Sequence, residues 1–377
     1  MIKLLSKPLA REFLRISLAI LISLVLGFII TLLVSEDPVG AYRAFLTGPV
    51  SRLNRAGEWI KESITLTLLG LAVVLVFKAN IFSLGQDGQM VLGALAAGSI
   101  ALFVPLPAYL RIPLAFIAGG LVGFLVGYLP GVLKAHLNAN EIVSTLMINA
   151  IAIRFYDYIL INFIKPPGAG YNASDFFPQD GVLPLFIPPF FADAYRLFTQ
   201  QADITIMLYI AIILVGVVYF IMFRTPFGYE LRMVGANMKF ARYGGVNIKR
   251  TVALAMAVSG IFAGLAGVHL AMGIHEKLIV NISVGLGFEG IIIALLARNN
   301  PLAVPITALA YGYLRAGADI MERSSDVSRE MVLVIQAIII LLVTAERILP
   351  MVQRRIAARK DAAQGEAAAA GVDVEGG

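Results

Sequence analysis

The chain has 377 residues, 59% of them apolar and only 14% charged, a balance that excludes an ordinary soluble domain. It contains no cysteine, so disulfides, thiolate metal sites and cysteine nucleophiles are excluded together. Its net charge of +6 comes from Lys and Arg gathered at the ends of apolar runs, a pattern of membrane topology rather than of nucleic-acid binding.

At the N-terminus, Lys3, Lys7, Arg11 and Arg15 precede an apolar run from Ile16 to Val34. The run is too long for a signal-peptide core and has no small-x-small site ahead of Glu36 and Asp37, so it reads as a retained first span. The apolar pattern predicts an all-α polytopic membrane protein of ten spans. They fall near residues 13–35, 63–79, 88–105, 111–133, 141–164, 204–223, 251–272, 286–299, 302–320 and 330–349. Both termini are then cytoplasmic, and the Lys and Arg bias towards that side supports the orientation. The outer segments 36–62 and 165–203, with many Pro and aromatic residues, are expected to form short helices over the mouth of a pathway. Residues 1–360 read as one transmembrane domain. Residues 361–377, rich in Ala, Gly and Glu, read as a disordered cytoplasmic tail.

Two patterns bear on how the spans pack. Gly119, Gly123, Gly127 and Gly131 repeat every four residues, and Gly260 and Gly264 do so later. Small residues at that spacing line one helix face and let helices approach closely in lipid. A weak internal repeat relates Leu84-Gly85-Gln86-Asp87-Gly88 to Leu286-Gly287-Phe288-Glu289-Gly290. The copies open the third and eighth spans, which divides the chain into two five-span halves; an odd number of spans makes the second half inverted. The apolar run Ile64–Phe77 would rise only about 21 Å, against about 30 Å of hydrocarbon. Short, Gly-interrupted spans in matching positions point to broken helices along a pathway. Gln86, Asp87, Phe288 and Glu289 are candidates to line it; the alternative is a pair of interfacial turns with N-capping acids. In the fifth span, Glu141, Ser144, Thr145 and Asn149 recur at helical spacing and are further candidates. Arg154 and Asp157, three apart on the same helix, are expected to pair as a structural unit.

The segment 224–250 is polar and basic between two apolar runs, with Arg224, Arg232, Lys239, Arg242, Lys249 and Arg250. The bilayer excludes it, and its charge puts it in the cytoplasm. Its middle can form a short helix, with Tyr229, Met233, Met238 and Tyr243 as studs. It is either a docking surface for a partner or a solvated connector. Gly-Lys-Ser/Thr occurs nowhere, so the chain carries no P-loop and no ATPase of its own. His136, His269 and His275 show no metal-ligand spacing, and no nucleophile–base arrangement stands out. No metal, catalytic group or bound cofactor is expected on this chain.

Several stretches together resemble a known family: NIFSLGQDGQMVLGALAAG, NEIVSTLMINAIA, TPFGYELRMVGANMKFARYGGVNIKR with SGIFAGLAGV, and GLGFEGIIIALLARNNPLA with LRAGAD. They are similar to permease subunits of bacterial ABC importers of the branched-chain amino-acid/ribose type, over roughly residues 60–350. The Phe-Gly-Tyr-Glu-Leu-Arg form is most similar to the simple-sugar or nucleoside branch. The resemblance implies transport driven by a separate ATPase with two nucleotide-binding domains, where ATP and magnesium reside. It also implies a second permease, heterodimeric, and an extracytoplasmic binding lipoprotein that delivers the solute. The location would be the bacterial inner membrane. Residues Gly235, Ala236, Asn237, Lys239, Ala241, Arg242, Tyr243, Gly244 and Gly245 would carry the coupling helix that docks on the ATPase. Met238-Lys239-Phe240 departs from the Pro-x-Ala frequent in the family, and Arg154 is unexpected there. The competing readings are an ion-coupled secondary transporter using Asp87 and Glu289, and a branched-chain amino-acid permease.

Overall fold

A computed structural model describes residues 22, 24–185, 201–283 and 285–338. These residues are mainly helical, and among them β pairing is limited to two isolated antiparallel bridges, Ala173 with Ile279 and Leu185 with Thr205. In chain order the helices are α1 (Leu24–Val34), α2 (Pro38–Thr47), α3 (Leu53–Lys78) and α4 (Gln86–Phe103). Next come α5 (Ala108–Leu137), α6 (Glu141–Ile159, with a π turn Leu160–Ile164), α7 (Met207–Arg224), α8 (Pro226–Ala236) and α9 (Met238–Tyr243). The series closes with α10 (Ile248–His269, with a π turn Leu270–His275), α11 (Leu286–Leu296), α12 (Val304–Ser324) and α13 (329–338). Five of these segments are long and apolar enough to cross a membrane: α3, α5, α6 with its π turn, α7, and α10 with its π turn.

Helix starts follow local capping chemistry. Asp37 accepts from the Gly40 N–H at 3.0 Å with Pro38 in the first turn of α2, and Asn140 accepts from Ile142 and Val143 at the start of α6. Thr225, Asn237 and Asn247 cap α8, α9 and α10 in the same way. α5 ends where Asn138 takes a left-handed conformation at φ 52°.

The described residues fall into two compact units, one within Pro49–Tyr313 and one drawn from Met1–Gly48 and Leu314–Gly377. In the larger unit α3, α4 and α10 are largely buried, whereas α5, α6 and α7 are largely exposed. The glycine stripe of α5 lies on α10. A Cβ at Gly119, Gly123, Gly127 or Gly131 would press on the backbone or side chains at Val268, Gly260, Met256 or Ala253 respectively. The partner numbers fall as the stripe rises, so the two helices run antiparallel with their backbones in contact. α4 meets the same stretch of α10: a Cβ at Gly93 would stand 2.6 Å from Gly264 Cα, and one at Gly267 would strike Met90 O. α11 meets α3 in the corresponding way, with Gly290 over Leu69. The packing is reciprocal: the helix after each break lies on the long helix of the other half, as an inverted repeat requires.

In the smaller unit Ala41, Tyr42, Phe45, Ala318, Met321, Val327, Val332 and Ile335 form the core. Asp326 accepts from the Ser35 hydroxyl at 2.5 Å and the Glu36 N–H at 2.6 Å.

Some expected boundaries are corrected. The second span is not a short segment 63–79: α3 has 26 residues, begins at Leu53 and rises about 39 Å, a full crossing. Segment 36–62 therefore gives only α2 and a 3-10 turn Gly48–Val50 before α3 begins. The described part of 165–203 is mostly extended. It laces along the end of α10, with N–H groups of Ser174, Phe177 and Leu183 donating to the carbonyls of Leu278, Glu276 and Met272. One 3-10 turn, Gln179–Gly181, interrupts it. Residues 186–200, the terminus-proximal parts of the first and tenth spans, and the tail 361–377 lie outside the described residues.

The stripe gives a comparison between neighbouring glycines. Gly123→Ala should lower the thermal midpoint of the detergent-purified protein, at an overpacking cost of about 1–3 kcal/mol. Gly120→Ala should leave it nearly unchanged, because a Cβ there meets Ile261 only at 3.5 Å. Equal midpoints for the two variants would refute direct backbone contact between α5 and α10.

Candidate functional site

The internal repeat meets itself at the starts of α4 and α11. Both are preceded by glycine, Gly85 and Gly285, and neither glycine supplies a capping side chain; Gly285 sits at φ 79°. The unpaired N–H groups of each first turn therefore need acceptors from elsewhere. Other helices provide them. Asp87 on α4 accepts from the Gly287 N–H of α11 at 2.9 Å, with the Ser283 hydroxyl as a second donor. Asn149 on α6 accepts from the Gly88 N–H of α4. Thr145, one turn earlier, accepts from the Leu84 N–H at 3.2 Å. A Cβ at Gly287 would approach Asp87 N to 2.6 Å, so glycine is what allows the two starts to meet.

Gln86, Asp87 and Asn149 thus come together, all three buried. Asp87 joins the two halves of the chain as a cap. Gln86 is fully buried, and its amide oxygen and nitrogen make no hydrogen bond to the described residues. Glu141 lies away from this cluster at the other end of α6's first turns, paired with Lys134 at 2.9 Å. On α11, Phe288 is exposed and Glu289 half-buried, so the two acids of the repeat occupy unlike surroundings.

Sequence reasoning missed several contacts. His269 is fully buried in α10 and its Nδ1 lies 2.9 Å from the Thr65 hydroxyl of α3, a polar link between the two central helices. Lys61 reaches Asp203 at 2.6 Å and ties the segment before α7 to α3. Residues so far apart in sequence leave no periodic signal. The Arg154–Asp157 pair forms at 3.9 Å, but Asp157 is buried while the Arg154 side chain is 87% exposed. A cation exposed at that depth of a span would cost about 2.5–3.5 kcal/mol in lipid.

The basic segment is ordered and anchored. Leu231 and Val234 of α8 and Ala241 of α9 bury in a core with Val76, Ala79, Ile81, Val252, Ala255 and Met256. A Cβ at Gly235 would strike the Lys78 carbonyl, and one at Gly228 the carbonyls of Ile221 and Met222. Arg232 donates to the Met222 carbonyl and lies over the Phe223 ring at 5.3 Å. The Thr251 hydroxyl donates to Glu230 at 2.9 Å. Of the proposed coupling residues, Ala241 is buried and Gly235 half-buried. Ala236, Asn237, Lys239, Arg242, Tyr243, Gly244 and Gly245 are exposed. Phe240, not singled out as a stud, is 65% exposed, and Tyr243 reaches 92%. After α9 the left-handed residue is Gly245, at φ 80°, while Gly244 keeps an ordinary φ of −76°.

Residues 56–344 match the family model described as branched-chain amino acid transport system, permease component. The guanosine ABC transporter permease protein NupP of Bacillus subtilis is 31% identical, over 87% of this chain and 92% of its own length. The glucose ABC transporter permease protein TsgB13 of Haloferax volcanii is 30% identical, over 87% and 86%. The nucleoside ABC transporter permease protein NupB of Lactococcus lactis subsp. cremoris is 29% identical, over 88% and 90%.

The cross-helix caps are open to test. Asp87→Ala leaves the Gly287 N–H buried without its acceptor, and Asn149→Ala does the same to Gly88. Each should destabilise the protein by about 1–3 kcal/mol, read as a lower thermal midpoint. Asp87→Asn, which keeps an acceptor oxygen, should recover much of the loss. An Asp87→Ala protein as stable as the original would show that the cap does not hold the halves together.

Proposed function

We propose that this chain, which belongs to the permease-component family of branched-chain amino acid transport systems, is the membrane-spanning subunit of an ATP-binding-cassette importer for a nucleoside or a simple sugar. The observation that carries the reading is the α8–α9 platform. It is locked by glycine contacts and a buried core to the ends of α3 and α10, yet it presents Lys239, Phe240, Arg242 and Tyr243 outward. A solvated connector has no need of such anchoring; a surface that must receive force does. On this reading an ATPase subunit docks there and holds the ATP and magnesium, and the platform is cytoplasmic, as are both termini, in a bacterial inner membrane. A second permease completes the pathway, and an extracytoplasmic binding lipoprotein delivers the solute.

The names of the relatives support a nucleoside or sugar rather than a branched-chain amino acid, since those about 30% identical over most of the chain carry guanosine, glucose and nucleoside in their names. The ion-coupled alternative is weakened by the geometry of the repeat. It needs two carboxylates that load and unload an ion, and Asp87 is already engaged in capping α11 from a buried position.

The test is coupling. In vesicles holding the permeases, ATPase and binding protein, Gly245→Val strains a left-handed backbone position, and Arg242→Glu reverses an exposed charge. Each should cut uptake about tenfold, a loss of about 1.4 kcal/mol in coupling, with normal membrane insertion. Gly244→Val should be the milder of the two glycine variants. Wild-type uptake and substrate-stimulated ATPase activity in both Gly245→Val and Arg242→Glu would put motor contact elsewhere.

A further inference from the structure

We propose that Arg154 faces the aqueous translocation pathway near mid-membrane and donates hydrogen bonds to the acceptor-rich edge of a nucleobase in transit. The ligand in this proposal rests on the nucleoside reading above; the position of the guanidinium rests on geometry alone.

Arg154 lies within two residues of the middle of the 24-residue span Glu141–Ile164. Its side chain is 87% exposed, directed away from the packed helices of the chain. The inward face of α6 is already occupied. Asn149 and Ala152 pack on Gly88, and the Tyr156 hydroxyl donates to the Ile279 carbonyl at 2.9 Å. Among the described residues Asp157 is the polar neighbour, and at 3.9 Å it is beyond hydrogen-bond distance. A guanidinium offers five N–H donors, and here they turn outward.

Lipid is a poor environment for that cation. Half the hydrocarbon thickness is about 15 Å, and snorkelling serves residues near helix ends rather than at the middle. Charged groups at such depth face water or protein. The surroundings fit a small-molecule path: Tyr158, one turn on, is 55% exposed, and Phe155 beside it is 51% exposed. Flat apolar surfaces with one convergent set of donors are how ligand sites are commonly built. A nucleobase has matching chemistry, with ring faces that stack on aromatic side chains and edges of carbonyl oxygen and ring nitrogen that a guanidinium engages in pairs. A simple sugar can lay a C–H face on an aromatic ring but has no flat edge of carbonyl oxygen and ring nitrogen for the guanidinium to engage in pairs.

This chain has no cysteine, so Arg154→Cys gives it a single thiol, and labelling is read on this chain after it is separated from its partners. The assembled importer, with ATPase and binding protein, is placed in vesicles and treated with a charged, membrane-impermeant methanethiosulfonate. Modification is expected, slowed several-fold by guanosine and not by glucose. In parallel, Arg154→Met should lower guanosine uptake about tenfold, the loss expected for a hydrogen bond to a charged group, while Arg154→Lys, which keeps the charge but not the planar fork, should recover only part of it. Reaction with an apolar maleimide but not with the charged reagent would mean lipid exposure and overturn the proposal. Labelling only after denaturation would mean packing against a second subunit and overturn it too. Modification without protection by guanosine would overturn the nucleobase contact. Wild-type uptake in the same vesicles separates the two readings. If neither nucleoside nor sugar is carried, the proposed function and its nucleobase contact fall, while the labelling alone still decides whether Arg154 faces water.

Discussion

A helix that begins among packed membrane helices leaves N–H groups without acceptors, and no water is at hand to supply them. That constraint organises the centre of this molecule. α4 and α11 both start after a glycine with no capping side chain, and each takes its acceptor from another helix, α11 from Asp87 and α4 from Asn149. The caps do more than satisfy donors. They fix where the two breaks sit relative to each other, and so hold α6 and both halves of the repeat in one register. Glycine is needed at Gly88 and Gly287 because the capping groups stand where a Cβ would be. Two observations that look separate in the sequence, an acidic repeat and a glycine repeat, are one device.

Close packing follows from the same scarcity of polar partners. With no hydrophobic drive between helices in lipid, association depends on contact area and on close backbone approach. The stripe on α5, the glycines of α10 and Gly93 of α4 bring three helices together at backbone distance. α3 and α11 repeat the arrangement with less glycine and more side chain, Leu69 and Ile293 taking up the space. The repeat is thus inverted in topology but unequal in detail. α11 has 11 residues, about 16 Å, and cannot cross the bilayer, whereas α4 has 18. The inequality extends to the acids, with Asp87 buried at the junction and Glu289 half-buried on the first turn of the shorter helix.

Much of this was legible in the sequence because the signals are local and periodic. Apolar runs marked most of the spans, the four-residue glycine spacing marked the α5–α10 contact, and Leu-Gly-x-acid-Gly marked both helix breaks. The start of α3 was misread because Glu58, Lys61 and Glu62 suggested a polar outer segment, whereas the structure buries Lys61 against Asp203. Charge density in sequence does not reveal a partner 142 residues away. His269 and Thr65 illustrate the same limit, since each alone looks like an ordinary residue in an apolar run. Whether Asp87 lined a pathway or capped a turn was undecidable from sequence, because the residue it caps lies 200 positions on.

The platform and the junction are joined by α3 and α10. At one end, Gly235 of α8 rests on the carbonyl of Lys78, the last residue of α3, while Val252, Ala255 and Met256 of α10 help to close the core around Ala241. Farther along, α3 carries Leu69 under α11, and α10 carries Gly264 and Gly267 against α4. The Thr65–His269 contact links the two helices one step farther from the platform. Contacts made backbone to backbone have no flexible side chain to absorb displacement, and a close-packed interior transmits strain rather than dissipating it. On the docking reading, a push delivered to α9 passes through α8 to α3, α7 and α10 together, and through α3 and α10 to the helix starts that Asp87 and Asn149 cap.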